Sequence, residues 1–152
     1  MFLALATWLG GLIFFPLVAN IAFSALPSTH LAGMVVRNSL QALHWMGLIA
    51  GPVFLISSLV YDRAVNGRFR PFRASHVVVT IMLLLTAVSE FKIIPRMDSL
   101  RASAGEIASL SPSHPVRQEF ERLHARSVEV EGMVLVLAIA ALYLTSRRSL
   151  TS

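Results

Sequence analysis

The chain has 152 residues, of which 55% are hydrophobic and only 14% are charged, and its net charge is +5. Because a soluble domain usually carries about 25% charged residues, this composition excludes an ordinary water-soluble domain and indicates a membrane protein. A basic nucleic-acid-binding domain needs a polar exposed surface, and the low charged fraction argues against such a domain. The chain contains no cysteine, which excludes disulfides, thiolate metal sites and covalently attached haem.

Four long apolar segments are each close to the length of about 20 residues that a helix needs to cross a bilayer. They cover residues 2–26, 40–61, 76–94 and 128–145. Their apolar runs are continuous, which favours helices over barrel strands, whose side chains would alternate. The first segment is longer than the apolar region of a signal peptide and lacks a basic leader, so we interpret it as a span. The sequence predicts an all-α, integral membrane four-helix bundle in a single transmembrane domain.

Basic residues are concentrated on one side of the predicted membrane topology. The second connection and the C-terminal tail contain the arginines Arg63, Arg68, Arg70, Arg73, Arg147 and Arg148, with Asp62 as the only acid. By the positive-inside rule, this connection and both termini are predicted to be cytoplasmic. We therefore expect the basic charge to contact lipid headgroups, and we expect no nucleic-acid partner.

The third connection, about residues 95–127, is long and of mixed charge. Apolar residues recur in it with a helical period on both sides of the turn SLSPSHP. Pro112 and Pro115 interrupt that period, and Pro115 is a typical first residue of a helix. The third and fourth helices are therefore predicted to extend beyond the membrane as a non-cytoplasmic hairpin.

Polar side chains at membrane depth are predicted to gather in the outer half of the bundle. A charge there costs several kcal/mol unless it is paired or hydrated, so such residues usually face the bundle interior. Helical spacing places two groups of three on common helix faces, and a lone glutamate lies on the third helix. The faces predicted to converge carry Arg37, Gln41 and His44 from the second helix, Glu90 from the third, and His124, Ser127 and Glu131 from the fourth. The inner half is expected to be apolar, except for His76 at its mouth.

This polar cluster has two interpretations as a ligand site. His44, Glu90, His124 and Glu131 form a candidate ligand set for a transition metal, because imidazole and carboxylate groups on facing helices suit such ions. Alternatively, His44 and His124 are candidate axial ligands of a b-type haem. In both cases Arg37, Gln41 and Ser127 would supply polar support.

The cluster also has structural interpretations that need no ligand. His44 is equally well explained as a hydrogen-bonded interior histidine, and His124 as a solvated residue at the membrane interface. Glu90 has Lys92 and Arg96 nearby as alternative ion-pair partners. Glu131 is the most deeply placed acid of the fourth helix, and it requires a buried partner such as Arg37 or a histidine.

Small and aromatic residues predict how the spans pack. Gly47 and Gly51 have the GxxxG spacing that permits close approach of two membrane helices. Trp8 and Trp45 lie near span ends and are predicted to anchor at the membrane interface.

Three stretches of the chain carry a family resemblance. They are TWLGGLIFFPLVANIAF at residues 7–23, EFKIIPRMDSLR at 90–101 and EFERLHARSVEVEGM at 119–133. Over almost the whole chain, the sequence resembles the small bacterial membrane family related to transmembrane protein 205. Its most distinctive features are Pro95–Arg96 and the pattern Phe120, His124, Ser127. The resemblance implies a four-span domain in the inner membrane of a bacterium and assigns no reaction.

A fainter resemblance comes from the first segment, in which Trp8, Gly10 and Gly11 form a WxGG-type sequence. It is similar to copper-resistance protein D and to the four-helix haem-dependent protoporphyrinogen oxidases. The oxidases have arginine after the proline of this helix, whereas here Leu17 follows Pro16. The first segment also contains no histidine, so the resemblance does not carry over a haem-linked oxidase activity.

Three functions are consistent with the sequence. The first is a metal- or haem-binding membrane protein, and the second is an accessory subunit of a larger membrane complex, in contact with lipids and with other subunits or a second copy of itself. The third is a component of a proton- or cation-coupled transporter or channel, which with four spans would need to act as an oligomer. No catalytic arrangement and no phosphate-binding loop of the GxxxxGK[ST] kind appears in the sequence, so no reaction is assigned.

Overall fold

The computed structural model describes residues 1–67 and 73–150, with all their side chains except those of residue 66 and residues 148–150. The helices are α1 (Phe2–Ala25), α2 (Thr29–Asn66), α3 (Ala74–Val88), a π-helical turn (Ser89–Ile93), α4 (Ile94–Ala104), a 3₁₀ turn (Ile107–Ser109) and α5 (Pro115–Leu150). Those described residues include no β-strand. Arg68 and Arg70, predicted for the cytoplasmic connection, lie outside the described residues, as does the side chain of Arg148.

Four helices are long and apolar enough to cross a membrane, which confirms the predicted all-α membrane bundle. They comprise Phe2–Ala25, Thr29–Val65, Ala74–Ala104 and Pro115–Arg147. The second helix is longer than predicted, since it begins at Thr29 rather than near residue 40. Ser28 caps it by accepting a hydrogen bond from the Leu31 amide at 3.2 Å. Only residues 26–28 connect α1 to α2, so the first connection is very short. Residues 29–39, which were predicted to lie between the first two spans, belong to α2.

The helices form a closed ring of neighbours around an apolar core. Helix α1 packs against α2 and α5, and α3 packs against the other sides of the same two helices. Helices α2 and α5 are therefore diagonally opposite. The core is composed of Leu5, Trp8, Leu12, Leu43, Ala50, Phe54, Val79, Met82, Val134, Ala138 and Ala141. It fills the middle of the bundle and leaves polar residues at both ends.

Trp8 and Gly47 show how closely α1 and α2 approach. A Cβ atom added to Gly47 would lie 2.5 Å from the Trp8 indole, so the ring occupies the space that a side chain would need. Trp8 is only 1% exposed, and its predicted place at the membrane interface is wrong. Trp45 is 48% exposed and makes an edge-to-face contact with Phe91, at a centroid distance of 6.1 Å.

A hairpin covers the end of the bundle away from the two termini, which we call the hairpin end. Helix α4 ends at Gly105, whose φ of 68° is accessible mainly to glycine. After the 3₁₀ turn, Arg117 donates a hydrogen bond to the Leu110 carbonyl at 2.8 Å. Helix α5 begins at Pro115, as predicted from its sequence. The third and fourth spans are thus joined by an extension of both helices.

The opposite end of the bundle, which we call the terminal end, is more polar than predicted. The Asp62 side chain is completely buried and forms an ion pair with Arg73 at 3.3 Å. One turn before it, Ser58 makes a 2.8 Å hydrogen bond with His76 Nε2. The expectation that His76 would be the exception in an otherwise apolar half is wrong. Asp62 and Ser58 of α2 thus each contact a polar residue at the start of α3, Arg73 and His76 respectively. Their position at the end of a span did not indicate these contacts.

Candidate functional site

The third span contains a π-helical turn at the depth of its acidic residue. In a regular α-helix, the ring of Pro95 would clash with the carbonyl of Phe91 and leave that carbonyl without its amide donor. The π turn Ser89–Ile93 immediately precedes the proline and widens the helix there. Ser89, Glu90 and Ile93 are all buried in consequence. Single π turns occur often at functional sites, and this one carries Glu90 into the bundle interior.

His44 lies between two carboxylates that come from different helices. Its Nδ1 atom is 2.9 Å from Glu90 Oε2, and its Nε2 atom is 2.6 Å from Glu131 Oε1. The side chains of His44, Glu90 and Glu131 are 1%, 4% and 14% exposed. Three ionisable groups are therefore held together at membrane depth, where none of them could remain charged without a partner. We call these three residues the acidic cluster.

The two hydrogen bonds fix the number of protons in the acidic cluster. An ionised carboxylate only accepts hydrogen bonds, so each of the two His44–glutamate contacts must contain one proton. Those protons lie either both on His44, as imidazolium, or one on the ring and one on a glutamate. In either case the cluster has a charge of minus one. Moving a proton from His44 Nε2 to Glu131 Oε1 therefore redistributes charge within the cluster but does not change the total.

An arginine connects the acidic cluster to the hairpin. Gln41 donates to Glu90 Oε1 at 3.0 Å, and its own carbonyl oxygen accepts from Arg37 at 2.7 Å. Arg37 in turn donates from Nε to Asp98 Oδ2 of α4 at 3.1 Å. Arg101 also reaches Asp98, at 3.4 Å. One carboxylate is thus shared by two guanidinium groups, which leaves a local excess of positive charge beside the negative cluster.

A large crevice lies next to these residues at the hairpin end. Its volume is about 680 Å³, within the range of about 300–1,000 Å³ that is typical of small-molecule sites. On its α1 side the crevice is lined by Phe15, Pro16 and Ala19, none of which is fully buried. Glu131 lines the crevice directly, and so do Arg37 and Arg101. The acidic cluster therefore has a solvent- or ligand-accessible side as well as a buried side.

The structure brings together most of the residues predicted for the site. Arg37, Gln41, His44, Glu90 and Glu131 form one connected network, and Ser127 is buried beside it on the crevice wall. Glu90 pairs with His44 rather than with the basic residues that follow it in the sequence.

His124 also lines the crevice but is not part of this hydrogen-bonded network. Its ring is exposed at the hairpin and stacks on Phe120, with ring centroids 6.5 Å apart and planes 4° apart. Exposure of the ring is what the alternative to ligation, a solvated residue at the membrane interface, would require.

This arrangement does not fit a metal or a haem bound through His44. Both ring nitrogens are already engaged by carboxylates, on opposite edges of the ring, so the three groups point at one another and not at a common centre. Within residues 1–67 and 73–150, no group of three or more His, Asp or Glu side chains is arranged to hold a metal ion. The metal set and the His44–His124 haem pair remain predictions, and we derive no chemistry through either of them.

Asp98 and Arg101 complete the network but were absent from the predicted site. In the sequence they belong to a mixed-charge stretch that reads as a solvated helix face. Asp98 is 61 residues away from Arg37, and they meet because α4, which continues the third span, passes beside the start of α2. Asp98 and Arg101 are one helical turn apart in the hairpin, close to the predicted depth of Arg37 in the membrane. That spacing is the sequence feature from which both could have been predicted.

The fold and the acidic cluster define the class of protein: a small multi-pass membrane protein with a buried polar site beside an apolar crevice. The sequence matches the family described as "Domain of unknown function (DUF4149)" over residues 3–106, which is more than half of its length. The chain therefore belongs to this uncharacterised domain family. The matched region contains α1 to α4 and ends before α5, the helix that supplies Glu131. Comparison with curated proteins and with solved structures gives no match.

Proposed function

We propose that this protein binds a ligand in the crevice and couples its binding to proton exchange at the acidic cluster. Such coupling is typical of a component of a proton-coupled binding or transport system in the membrane, and four spans favour its action as an oligomer. The observation that carries the proposal is the position of His44, which joins buried Glu90 to crevice-facing Glu131. Ionisable residues inside a membrane protein mark proton or substrate pathways more often than they serve packing alone.

The geometry suits proton exchange for two reasons. First, Glu131 is the most accessible member of the cluster, so protons can enter or leave through it while Glu90 and His44 stay buried. Second, Gln41 connects Glu90 to Arg37, so a positive charge lies two hydrogen bonds away from Glu90. A change in the position of Arg37 would alter how strongly Glu90 holds its charge, and therefore where the shared protons lie.

Infrared spectroscopy of the purified protein tests the proposal directly. The carbonyl band of a protonated carboxyl group should appear and disappear as the pH is varied, and exchange into D₂O should shift it. Glu131→Gln should remove the band or displace its pH dependence. Glu129→Gln is the matched control, because Glu129 is an exposed glutamate only two residues away on the same helix. A titrating band that is the same in Glu131→Gln and in the wild type would overturn the proposal.

A second function, as a subunit of a larger assembly, is favoured by the outward face of α1. Asn20 is exposed toward the hairpin end of this apolar span, five residues before α1 ends at Ala25. An amide at membrane depth is one of the groups that join membrane helices. We infer that α1 contacts another membrane helix, from a second copy or from a partner. Asn20→Leu should then shift the oligomeric state in detergent toward the monomer, and an unchanged state would contradict this role.

The relationship of the chain to transmembrane protein 205 and its placement in a particular membrane also remain proposals. The relationship to the family of transmembrane protein 205 is supported by the sequence resemblance. Placement in a bacterial inner membrane, with cytoplasmic termini, is supported by the arginines near the terminal end, such as Arg63, Arg73 and Arg147. Labelling of a cysteine introduced at exposed Ser113 in the hairpin, in intact cells, tests this orientation. Labelling only after the cells are opened would reverse it.

A further inference from the structure

The crevice opens sideways, between α1 and α5, toward the space that lipid occupies. Its two edges are formed by exposed residues of these helices: Pro16 and Phe23 on α1, and Val128 and Gly132 on α5. Because both helices are membrane spans, an opening between their exposed edges faces the bilayer and not only the water above it. A ligand can therefore enter from the membrane, with its apolar part first in contact with α1 and α5.

The walls of the crevice differ between its two levels. Toward the middle of the membrane they are apolar, with Leu12, Phe15 and Leu135 among the lining residues. Toward the hairpin they carry Arg37 and Arg101, both of which are paired with the single carboxylate of Asp98. These three side chains together carry one positive charge, while Glu106, Glu121 and Glu131 also line the crevice and Glu121 is paired with Arg117. Arg101 makes a single hydrogen bond within the described residues, so most of its donors are available to an anionic group in the crevice.

We propose that the crevice binds an amphipathic anion: an acyl chain along α1 and α5, with a carboxylate or phosphate headgroup at Arg37 and Arg101. Guanidinium groups bind both headgroups through charge-assisted hydrogen bonds, so a fatty acid and an anionic lipid share this chemistry. The inference deepens the proposed function, on which it rests for the coupling to protons. The binding site itself depends only on the crevice and its arginines.

The ligand would also act on the acidic cluster through an existing contact. Arg37 Nη1 donates to Gln41, which donates to Glu90. A headgroup that draws Arg37 toward itself weakens this chain and leaves Glu90 with less positive charge nearby. Proton affinity in the cluster then rises when the anion binds, because a carboxylate that loses a nearby cation is more readily protonated.

Binding is measured by electron spin resonance of the full-length protein in phosphatidylcholine vesicles, with nitroxide-labelled stearate as the probe. Stearate should associate about tenfold more strongly than labelled phosphatidylcholine, as expected for one added charge-assisted contact. Arg37→Gln and Arg101→Gln should each remove most of this preference. Asp98→Asn should increase it, because both arginines are then released from their shared carboxylate. Labelled phosphatidic acid is the second probe. The anion that associates more strongly with the protein, stearate or phosphatidic acid, identifies the headgroup as a carboxylate or a phosphate.

Two glycines provide the steric test. A Cβ atom added to Gly132 would meet no atom within 4 Å, and Gly132 lines the crevice, so Gly132→Phe places a bulky ring at the crevice wall without a clash at Cβ. Gly10 is equally open but does not line the crevice, and Gly10→Phe is the control. Gly132→Phe should abolish the stearate preference, and Gly10→Phe should preserve it. Equal binding in both variants, or equal binding of stearate and phosphatidylcholine to the wild type, would overturn the proposal.

The carboxyl infrared band separates this inference from the proposed function. Added stearate should shift the pH dependence of that band toward higher pH in the wild type, and this shift should be absent in Gly132→Phe. Stearate binding without any shift would leave the site in place and overturn the coupling. A titrating band together with no stearate preference would instead support proton exchange and reject this class of ligand.

Discussion

His44 Nε2 lies 2.6 Å from Glu131 Oε1, and this contact joins α2 to α5 across the diagonal of the bundle. Neighbouring helices are held by apolar side chains, but these two face each other across the interior. A hydrogen bond between charged or partly charged groups in such a place is strong, because little water competes for it. The acidic cluster is therefore a structural link as well as a candidate proton site, and the two roles predict different mutational effects.

Replacement of His44 by alanine should destabilise the protein more than replacement of either glutamate by glutamine. His44→Ala leaves two buried carboxylates that face each other without a proton donor between them. Removal of one partner from a buried ion pair typically costs about 3–5 kcal/mol, and we expect a loss of that size in the free energy of unfolding. Reversible unfolding in mixed micelles measures it.

The triple variant His44→Ala, Glu90→Gln, Glu131→Gln tests the cause of this loss. If the cost comes from unpaired charge, neutral amides should recover most of the stability that His44→Ala removes. Glu119→Gln is a suitable control, because Glu119 is half exposed in its pair with Arg96, and such pairs contribute at most about 1 kcal/mol. A triple variant no more stable than His44→Ala would show instead that the imidazole is needed for packing.

The course of the chain could be predicted from hydropathy, because a span must be apolar over about 20 residues and few other segments are. The predicted start of α2, near residue 40, was wrong. Residues 29–39 contain Arg37 and are too polar to count as a span, yet they continue the helix, since nothing between Ser28 and Leu40 interrupts it. Hydropathy detects where a helix meets lipid, whereas caps and breakers determine where the helix itself begins and ends.

The candidate site was only partly predictable, for a similar reason. Helical spacing placed Gln41 and His44 on one face, and the cost of buried charge required them to meet the acids of other helices. Such reasoning gives the depth of a residue but not the rotation of its helix about its axis. His124 precedes Glu131 by seven residues, a spacing that would place both ligands on one helix face. His124 nevertheless lies beyond the packed part of the bundle and is exposed. The π turn that directs Glu90 inward also has no signal in a periodic pattern.

Gly47→Ala should destabilise the packing of α1 against α2. The new Cβ atom would lie 2.5 Å from the buried Trp8 ring, which has no free space into which it could move. Overpacking of this kind typically costs about 1–3 kcal/mol in the free energy of unfolding. The same change at Gly10, which meets nothing within 4 Å, should be neutral or stabilising because alanine favours the helix. Equal effects of the two variants would contradict close packing at Gly47.

Pro95→Ala should restore a regular helix across the π turn. Alanine supplies an amide hydrogen and removes the ring that clashes with the carbonyl one turn earlier, so residues 89–93 can adopt ordinary α-helical bonding. We expect slower hydrogen exchange of the amides in this stretch, together with a weakened contact between Glu90 and His44. An unchanged exchange pattern would show that the glutamate–histidine contact, and not the proline, maintains the π turn.

Nitrogen NMR of labelled histidine should resolve the two contacts of His44 separately, and it also tests the metal and haem predictions. Glu131→Gln should change the Nε2 resonance and Glu90→Gln the Nδ1 resonance, because each glutamate contacts only one ring nitrogen. His44→Gln assigns the signals among the five histidines of the chain. Zn²⁺ or haem added to the wild type should leave both His44 resonances in place, since neither nitrogen has a lone pair free for coordination while the carboxylates are bound. A stoichiometric Soret band, or loss of the His44 signals on addition of Zn²⁺, would show that the cluster opens to take a metal and would restore the ligand role predicted from the sequence.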